Sequence, residues 1–336
     1  MSRMDDMAQF VTQQGLDPAA VRPLAADASF RQYFRIDSTP PRVLMDAPPD
    51  KENVVPFIAV GQHLRSLGMA APVLLAHDLK NGFLLLEDLG DNTFTTLLNQ
   101  GEAAKTLYQA AVDELLKLHQ HAPPCQITTE AGPTFDLPPY DDTALMTEAR
   151  LFTDWYMPAA GLAPTQDALK DYEAIWNNLF PLCRVGQDVL VHRDYHVDNL
   201  MMTHDGSVGL LDYQDALSGP PAYDLVSLLQ DCRYHVPAEV EQAMLDTYIS
   251  ARPELDAEAF RIAFVVMGAQ RHIKIIGIFT RLWQRDGKPG YLQMIPYLWD
   301  LLDRSLQHPA LDTLAAWLTE HVPEDKRRQP LPGTPT

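Results

Sequence analysis

The sequence predicts an α+β fold with two lobes: a small antiparallel β-sheet lobe at the N-terminus and a larger, mainly helical lobe at the C-terminus. Alternating apolar and polar residues, the pattern of half-buried strands, are concentrated in the first part of the chain. Apolar residues at helical spacing dominate the rest. We therefore expect an N-terminal lobe at 1–90, a C-terminal lobe at 91–323 and a flexible, proline-rich tail at 324–336.

The N-terminal lobe is predicted from short periodic segments separated by turn residues. Apolar residues recur at helical spacing over 4–11, and Gly15 suits the end of that helix. Phe30, Phe34 and Ile36 share one face of an alternating stretch, which predicts a strand. The remaining predicted elements are strands at 42–46, 72–77 and 82–88, and a helix that begins near Pro56 and stops at Gly68.

The C-terminal lobe is predicted to be helical with one β-like insertion. Glu102–His121 carries a stripe of apolar residues at helical spacing, and a long proline-rich connection follows at 123–139. Further elements are helices at 141–156 and 166–180, a compact β-like segment at 189–212 and helices throughout 223–321.

Composition restricts the class of partner. The 336 residues carry a formal net charge of -19, which argues against nucleic acid because phosphate backbones need clustered Lys and Arg. The three cysteines are scattered and have no disulfide or zinc spacing, which favours a reducing cytoplasm. The N-terminal segment does not resemble a signal peptide. No obligate protein partner is evident from the sequence.

A membrane span is not expected, so the sequence predicts a soluble protein. The most apolar stretch of the C-terminal half, 260–279, is interrupted near its middle by four polar residues, Gln270, Arg271, His272 and Lys274. Charged residues in the centre of a bilayer are costly.

Val189–Met202 is the segment most informative about chemistry, because apolar runs flank a polar loop. A further acid, Asp212, follows the next apolar run. Phosphoryl transfer to a hydroxyl needs a carboxylate that accepts the hydroxyl proton, and oxygen ligands that hold Mg²⁺ on the phosphates. Asp194 suits the first role, and Asn199 with Asp212 suits the second. His192 would fix the loop through its ring nitrogens.

The pattern His192-x-Asp194-x-x-x-x-Asn199, followed by Asp212, resembles the catalytic and metal loops of aminoglycoside phosphotransferases, choline kinases and protein kinases. The resemblance covers most of the chain, since a small β-lobe precedes a large helical lobe in these families too. It implies a protein-kinase-like fold with ATP and Mg²⁺ as cofactors. It also implies that the lobe at 1–90 binds nucleotide and that the lobe at 91–323 holds substrate and performs catalysis.

Several segments resemble a narrower bacterial group, the anomeric kinases of cell-wall amino sugars. The segments are Asp27–Arg31, Leu44–Pro48, Gly219–Asp224, Gln270–Lys274 and Gly277–Arg281. Members of that group phosphorylate the C1 hydroxyl of N-acetylmuramic acid and N-acetylglucosamine during peptidoglycan recycling. The resemblance therefore implies a small-molecule amino sugar as partner.

The same resemblance assigns nucleotide contacts to two places in the N-terminal lobe. The predicted contacts are Ser29, Phe30 and Arg31 near the phosphates, and Glu87 and Leu89 near adenine. The sequence departs from the family because 25–34 contains no glycine and Met45 stands where a phosphate-binding lysine is expected. Arg31 or Arg35 would supply the positive charge instead. These departures keep a nucleotide-binding pseudokinase as an alternative.

Asp215, Arg271 and Lys274 are the predicted substrate residues. Arg271 and Lys274 interrupt an apolar helix, so they either meet the lactyl carboxylate of a muramic acid or form a solvated face. Asp215 either approaches the substrate or forms a turn. Another alcohol, such as choline, homoserine or an aminoglycoside, is an alternative acceptor. Asp224 caps a helix and, by resemblance, braces the catalytic loop.

Overall fold

The structure is a computed structural model that describes residues 2–24, 30–130 and 132–335. Its contacts group the chain into two compact units. The sheet unit comprises Met1–Gly101, Pro124–Leu137 and Asp198–Ala216, and the helical unit comprises Glu102–Pro123, Pro138–Val197 and Leu217–Thr336. The lobes expected from the sequence are continuous pieces of chain, whereas each unit collects separate segments.

The secondary structure follows the predicted order. The strands are β1 (Val21–Pro23), β2 (Gln32–Ile36), β3 (Arg42–Asp46), β4 (Leu74–Asp78), β5 (Phe83–Glu87), β6 (Gln126–Thr128), β7 (Thr134–Asp136), β8 (Val189–Val191), β9 (Leu200–Met202), β10 (Val208–Leu210) and β11 (Leu217–Gly219). The helices are α1 (Arg3–Gln13), α2 (Val55–Ser66), α3 (Phe94–Asn99), α4 (Ala104–His119), α5 (Asp142–Leu151), α6 (Met157–Ala159), α7 (Gln166–Leu179), α8 (Ala222–Leu229), α9 (Ala238–Ser250), α10 (Ala257–Asp286), α11 (Ile295–Ser305), α12 (Asp312–His321) and α13 (Glu324–Arg327). A π-helical turn, Phe152–Tyr156, joins α5 to α6.

An antiparallel sheet of five strands, in the order β1-β2-β3-β5-β4, forms the base of the sheet unit. Helix α1 buries Phe10 and Val11 in a core shared with Ile36, Leu44 and Phe83. Each large apolar side chain removed from water contributes about 1.5–3 kcal/mol, so this core fixes the helix on the sheet. The predicted antiparallel sheet in the N-terminal part is confirmed.

Two hairpins complete the sheet unit. Strands β9 and β10 pair with each other, and isolated bridges join Gly209 to Ala70 and Met201 to Thr93. Strands β6 and β7 form the second hairpin, inside the segment predicted as an irregular proline-rich connection. Each of these two strands has three residues, too few for the alternation of a strand to be recognised in the sequence.

Helix α10 is the central helix of the helical unit and packs against α5, α8 and α11. Among the described residues it is the one helix long and apolar enough to cross a membrane, and 83% of its most apolar window is buried inside the protein. Its polar residues Gln270, Arg271, His272 and Lys274 are buried as well. Buried polar groups need partners, and those of Gln270, Arg271 and Lys274 lie within the helical unit.

The segment at 324–336, predicted as a flexible tail, begins with α13. Arg327 pairs with Asp303 at 3.1 Å, and Arg328 pairs with Asp300 at 2.8 Å. Leu331 is buried. The first part of this segment therefore packs on the helical unit, and ion pairs that composition cannot reveal hold it there.

Candidate active site

The loop after β8 carries the first group of predicted catalytic residues. Asp224, in the first turn of α8, accepts hydrogen bonds from the backbone N–H groups of His192 at 2.6 Å and Arg193 at 2.8 Å. Arg193 has a φ of 78°, which is uncommon for a residue with a side chain. The two bonds hold the strained turn that leads into Asp194, so the predicted bracing role of Asp224 is confirmed.

Burial dominates the electrostatics of Asp224. The residue has no exposed surface. Loss of solvent raises the pKa of its carboxyl group to about 7, although the N–H groups of His192 and Arg193 act in the opposite direction. The nearby charge of Asp194 raises this pKa further. The loop is therefore anchored on a carboxyl group whose charge changes near neutral pH.

Asp194 and His192 occupy different environments within this loop. Asp194 is half-buried, and its carbonyl accepts a hydrogen bond from the His196 N–H at 3.1 Å. His192 is fully buried, with its ring edge-on to Tyr195 at a centroid distance of 5.6 Å. The Tyr195 hydroxyl donates to the Ala111 carbonyl at 2.8 Å. His192 is thus part of the packed base of the loop, and the fixing of the loop through its ring nitrogens stays a prediction.

Glu148, on α5, joins the catalytic loop to α10. Its carboxylate lies 2.5 Å from Arg193 and 2.8 Å from Lys274, and it accepts the Tyr140 hydroxyl at 2.5 Å. Burial on its own raises the pKa of Glu148, but the two cations and the hydrogen bonds bring it down to about 2. Lys274 also donates to the Tyr223 hydroxyl at 2.8 Å. Lys274 is therefore engaged with internal partners.

The other two predicted substrate residues lie in different units. Arg271, in the helical unit, is 3% exposed and donates to the Ser227 hydroxyl at 2.7 Å. Asp215 is an exposed residue of the sheet unit, and its carboxylate accepts from the Gln214 side chain at 2.9 Å. Substrate contact by these residues remains a prediction.

Asn199 and Asp212, the predicted metal ligands, lie at the paired ends of the β9–β10 hairpin in the sheet unit. The Asn199 carbonyl accepts from the Leu211 N–H at 3.0 Å, which keeps the two residues adjacent. Asp212 has a φ of 58°, and its Oδ1 accepts from Arg31 at 3.2 Å and Gln214 at 3.0 Å. The Asn199 amide and the Asp212 carboxylate offer hard oxygen donors of the kind that Mg²⁺ takes. The donor set therefore fits this ion.

Arg31 is the cation that the sheet unit places beside Asp212. Its side chain is 9% exposed. Burial lowers the pKa of Arg31, but Tyr33, Asp212, Glu52 and Asp215 together hold it above the ordinary value. The guanidinium therefore stays charged.

The residues before Arg31 give less support to the predicted phosphate contacts. Ser29 lies outside the described residues. Phe30, predicted to lie in a strand on one face with Phe34 and Ile36, is 60% exposed and precedes β2, which begins only at Gln32. The Lys51 ammonium lies 4.7 Å from the centre of the Phe30 ring. The predicted placement of Phe30 within the strand is wrong, and its contact with nucleotide stays a prediction.

The predicted adenine-binding segment follows β5. Glu87 exchanges hydrogen bonds with Val73: its N–H donates to the Val73 carbonyl at 2.9 Å, and its carboxylate accepts the Val73 N–H at 3.2 Å. Within the described residues, the backbone N–H and carbonyl of the half-buried Leu89 make no hydrogen bond. The edge of a base needs such donors and acceptors, so the Leu89 backbone fits the predicted contact with adenine. Glu87, whose bonds go to Val73, fits a role in supporting this segment.

Arg35 contacts the segment that follows β5, and its position differs from that of Arg31. Its guanidinium pairs with Asp88 at 2.6 Å and with Asp91 at 2.8 Å, and it also donates to the Gly90 carbonyl at 3.3 Å. Of the two arginines proposed to replace the missing lysine, Arg31 is therefore the one adjacent to Asp212.

Sequence reasoning missed Glu148 and Arg193. A signal was available for Glu148, because an acid stands on the apolar face of a predicted helix, between Leu145 and Phe152, which are both fully buried. An acid in that position needs a cation. The sequence did not reveal which cation it would meet.

A family model described as "Phosphotransferase enzyme family" matches residues 20–259, more than two thirds of the chain. The chain belongs to the phosphotransferase enzyme family. This membership confirms the resemblance carried by His192, Asp194, Asn199 and Asp212, and it makes the protein an enzyme of phosphoryl transfer.

Two curated relatives of this phosphotransferase share one name, N-acetylmuramate/N-acetylglucosamine kinase. The protein from Caulobacter vibrioides is 37% identical, and the alignment covers 96% of this chain and 97% of the relative. The protein from Pseudomonas aeruginosa is 38% identical, with 90% of this chain and 88% of the relative covered.

Solved structures show that the phosphotransferase has the predicted protein-kinase-like fold. The ADP-bound aminoglycoside phosphotransferase APH(2'')-Ib superposes with a TM-score of 0.58 at 17% identity, covering 90% of this chain and 96% of that structure. A choline/ethanolamine kinase family protein from Mesorhizobium loti gives a TM-score of 0.59 at 13% identity, with 94% and 99% covered.

Proposed function

We propose that this phosphotransferase uses ATP to phosphorylate the anomeric C1 hydroxyl of N-acetylmuramic acid and N-acetylglucosamine, in cytoplasmic peptidoglycan recycling. The observation that carries the proposal is the 37% identity over nearly the full length of the Caulobacter vibrioides N-acetylmuramate/N-acetylglucosamine kinase. A net charge of -19 is consistent with a small-molecule partner and not with nucleic acid.

Asp194 is proposed as the group that orients the C1 hydroxyl and accepts its proton. A hemiacetal hydroxyl is more acidic than an ordinary alcohol, so a carboxylate is a sufficient base. Asp224 holds the loop from its backbone side, through the N–H groups of His192 and Arg193. Catalysis then comes mainly from the position of the acceptor and from neutralisation of the phosphate charge.

The nucleotide contacts are proposed for the sheet unit. The Leu89 backbone would bind the adenine edge, and Arg31 would lie along the phosphates. Asn199 and Asp212 would hold Mg²⁺ through their side-chain oxygens. When bound, the ion neutralises charge on the phosphate oxygens. The adjacency of Asn199 and Asp212 in one hairpin supports this assignment.

The proposal is tested by phosphorus NMR of the product formed from ATP and each of four acceptors. N-acetylmuramate and N-acetylglucosamine are expected to give an anomeric phosphate, and choline and kanamycin to give no product. The methyl glycoside of N-acetylglucosamine, whose C1 oxygen is blocked, is the matched control and is expected to be inert. Phosphate on another carbon, or turnover of choline alone, would contradict the proposal. Release of ADP with either sugar excludes a pseudokinase.

A further inference from the structure

A cavity of about 280 Å³ lies within the sheet unit, between α2 and the start of β4. Its apolar lining includes Phe57, Ile58 and Leu74, and Tyr213 lines it as well. Glu130, in the turn of the β6–β7 hairpin, adds a lining residue from a third element. A volume of this size is at the lower end of the range for small-molecule sites, so the cavity suits a compact ligand.

The cavity is distinct from the nucleotide contacts proposed for the same unit. Leu89, Arg31, Asn199 and Asp212 are the residues proposed to hold ATP and Mg²⁺, and none of these four described residues lines the cavity. Tyr213, the residue directly after Asp212, does line it. A ligand in the cavity would therefore contact the neighbour of a proposed metal ligand and leave the nucleotide contacts unoccupied.

The aromatic wall of the cavity is already formed in the structure. The rings of Phe57 and Tyr213 stack with their centroids 4.9 Å apart. A Cβ atom at Gly61 would lie 2.5 Å from the Tyr213 hydroxyl oxygen, so the ring needs a glycine at this position of α2. Glycine weakens a helix interior, and here it permits the close approach of the ring. An apolar ligand would thus meet a rigid surface and would not have to assemble one.

Two side chains of opposite charge also line this cavity, Arg65 on α2 and Glu130 in the hairpin turn. Nη1 of Arg65 donates to the Ala71 carbonyl at 3.0 Å, and its other two side-chain nitrogens make no hydrogen bond with any residue that the structure describes. The Glu130 N–H donates to the Gln62 side-chain oxygen at 3.1 Å, which holds the turn on α2. Among the described residues the Glu130 carboxylate has no ion pair, so Arg65 and Glu130 line one cavity without neutralising each other.

This arrangement selects the charge of a ligand. A guanidinium recognises a carboxylate, but a simple anion in this cavity would be repelled by Glu130. A simple cation would be repelled by Arg65 in the same way. A molecule that carries both charges avoids either repulsion. Both side chains are exposed, so each charged contact contributes little, and an apolar body against the aromatic wall has to supply much of the affinity.

We propose that this cavity binds a small zwitterion with an apolar body, of the class of a free α-amino acid with a large apolar side chain. Arg65 binds its carboxylate, Glu130 binds its ammonium group, and its side chain packs against Phe57 and Tyr213. The site goes beyond the proposed sugar phosphorylation and does not depend on it.

The test is calorimetric titration of the full chain with L-phenylalanine and two blocked derivatives. The amide of phenylalanine lacks the carboxylate, and N-acetylphenylalanine lacks the ammonium group. We expect phenylalanine to bind once per chain, and each derivative to bind about fivefold more weakly, as for the loss of one exposed charged contact. No binding of phenylalanine, or equal affinity for either derivative, would overturn the proposal.

Variants assign each charge to its partner. Glu130→Gln should bind phenylalanine about fivefold more weakly and should no longer distinguish it from N-acetylphenylalanine. Arg65→Met should lose the distinction between phenylalanine and its amide. If Arg65→Met does not fold without its Ala71 contact, Glu130→Gln decides, because the Glu130 side chain is exposed. Arg22→Met removes another exposed arginine of the sheet unit and should bind like the wild type. Wild-type affinity and selectivity in Glu130→Gln would contradict the assignment.

Competition with nucleotide shows whether the site is separate. Titrations of phenylalanine at increasing concentrations of Mg-ADP should still give one phenylalanine bound per chain, with an apparent Kd that reaches a limiting value. An apparent Kd that rises in proportion to the Mg-ADP concentration would place phenylalanine in the nucleotide site and would overturn the proposal of a separate cavity.

Discussion

The Glu148 carboxylate lies 2.5 Å from the guanidinium of Arg193, the residue between His192 and Asp194 in the catalytic loop. Helix α5 therefore holds this loop by a side chain, while Asp224 on α8 holds it by the backbone. Both carboxylates are buried, so both contacts are shielded from solvent. The position of Asp194 depends on two acids that themselves perform no chemistry.

Removal of Glu148 is expected to destabilise the protein strongly. Glu148→Ala leaves Arg193 and Lys274 near each other without a counter-charge, and breaking a buried ion pair in this way costs about 3–5 kcal/mol. Urea denaturation measures the loss. Glu173→Ala is the control, because Glu173 pairs with Arg150 on the surface, with 37% of its side chain exposed, and should cost about 1 kcal/mol or less. Equal losses would show that Glu148 is no more important than a surface acid.

Glu148 and Asp224 should make the free energy of unfolding depend on pH in opposite directions. The folded pKa of Glu148, about 2, lies below its ordinary 4.5, so its stabilisation is present above pH 4.5 and is lost as pH falls toward 2. The folded pKa of Asp224, about 7, lies above its ordinary 3.8, so its contribution is complete below pH 3.8 and is lost as pH rises through 7.

The pH dependence that each carboxyl group gives to stability is isolated by comparing the wild type with a variant that lacks that group. The unfolding free energy of the wild type, minus that of Glu148→Gln, should shrink on acidification. The same difference for Asp224→Asn should shrink as pH rises toward 7. Urea denaturation across this pH range measures both, and a flat difference for either variant would contradict the corresponding assignment.

Local patterns in the sequence were sufficient to predict most of the helices and strands. Strand β3 spans Arg42–Asp46 in the structure, as predicted, because a turn precedes it and a short apolar run forms its middle. The catalytic loop was also predictable, since residue types and spacing specify it. The Glu148–Arg193 pair was not, because 45 residues separate the partners and only the tertiary fold joins them. For the same reason the sequence identified Lys274 as a cation without revealing that Glu148 neutralises it.

Replacement of the proposed base should separate chemistry from binding. Asp194→Asn keeps the shape of the side chain but cannot accept the acceptor proton, so kcat should fall about 10²- to 10⁴-fold. Calorimetric titration should give an unchanged affinity for ATP. Asp198→Asn, four residues further along at an exposed position, is the matched control and should retain turnover. A near-normal rate for Asp194→Asn would assign the base elsewhere.

Replacement of Arg31 should show whether it takes the place of the absent lysine. Arg31 lies 3.2 Å from Asp212, where Asn199 is also adjacent, so its charge stands next to the proposed metal ligands. Arg31→Met removes a charged partner of the phosphates, and we expect KM for ATP to rise about tenfold or more.

The control for this substitution is Arg22→Met, because Arg22 pairs loosely with Asp37 at 3.8 Å and both side chains are 61% exposed. Its KM for ATP should stay at the wild-type value, since an exposed pair of this kind contributes little. KM for the sugar should change little in either variant, because neither Arg31 nor Arg22 is among the proposed acceptor contacts. An unchanged KM for ATP in Arg31→Met would mean that the phosphate charge is met by a different cation, and Lys51, beside the exposed ring of Phe30, would be the next residue to replace.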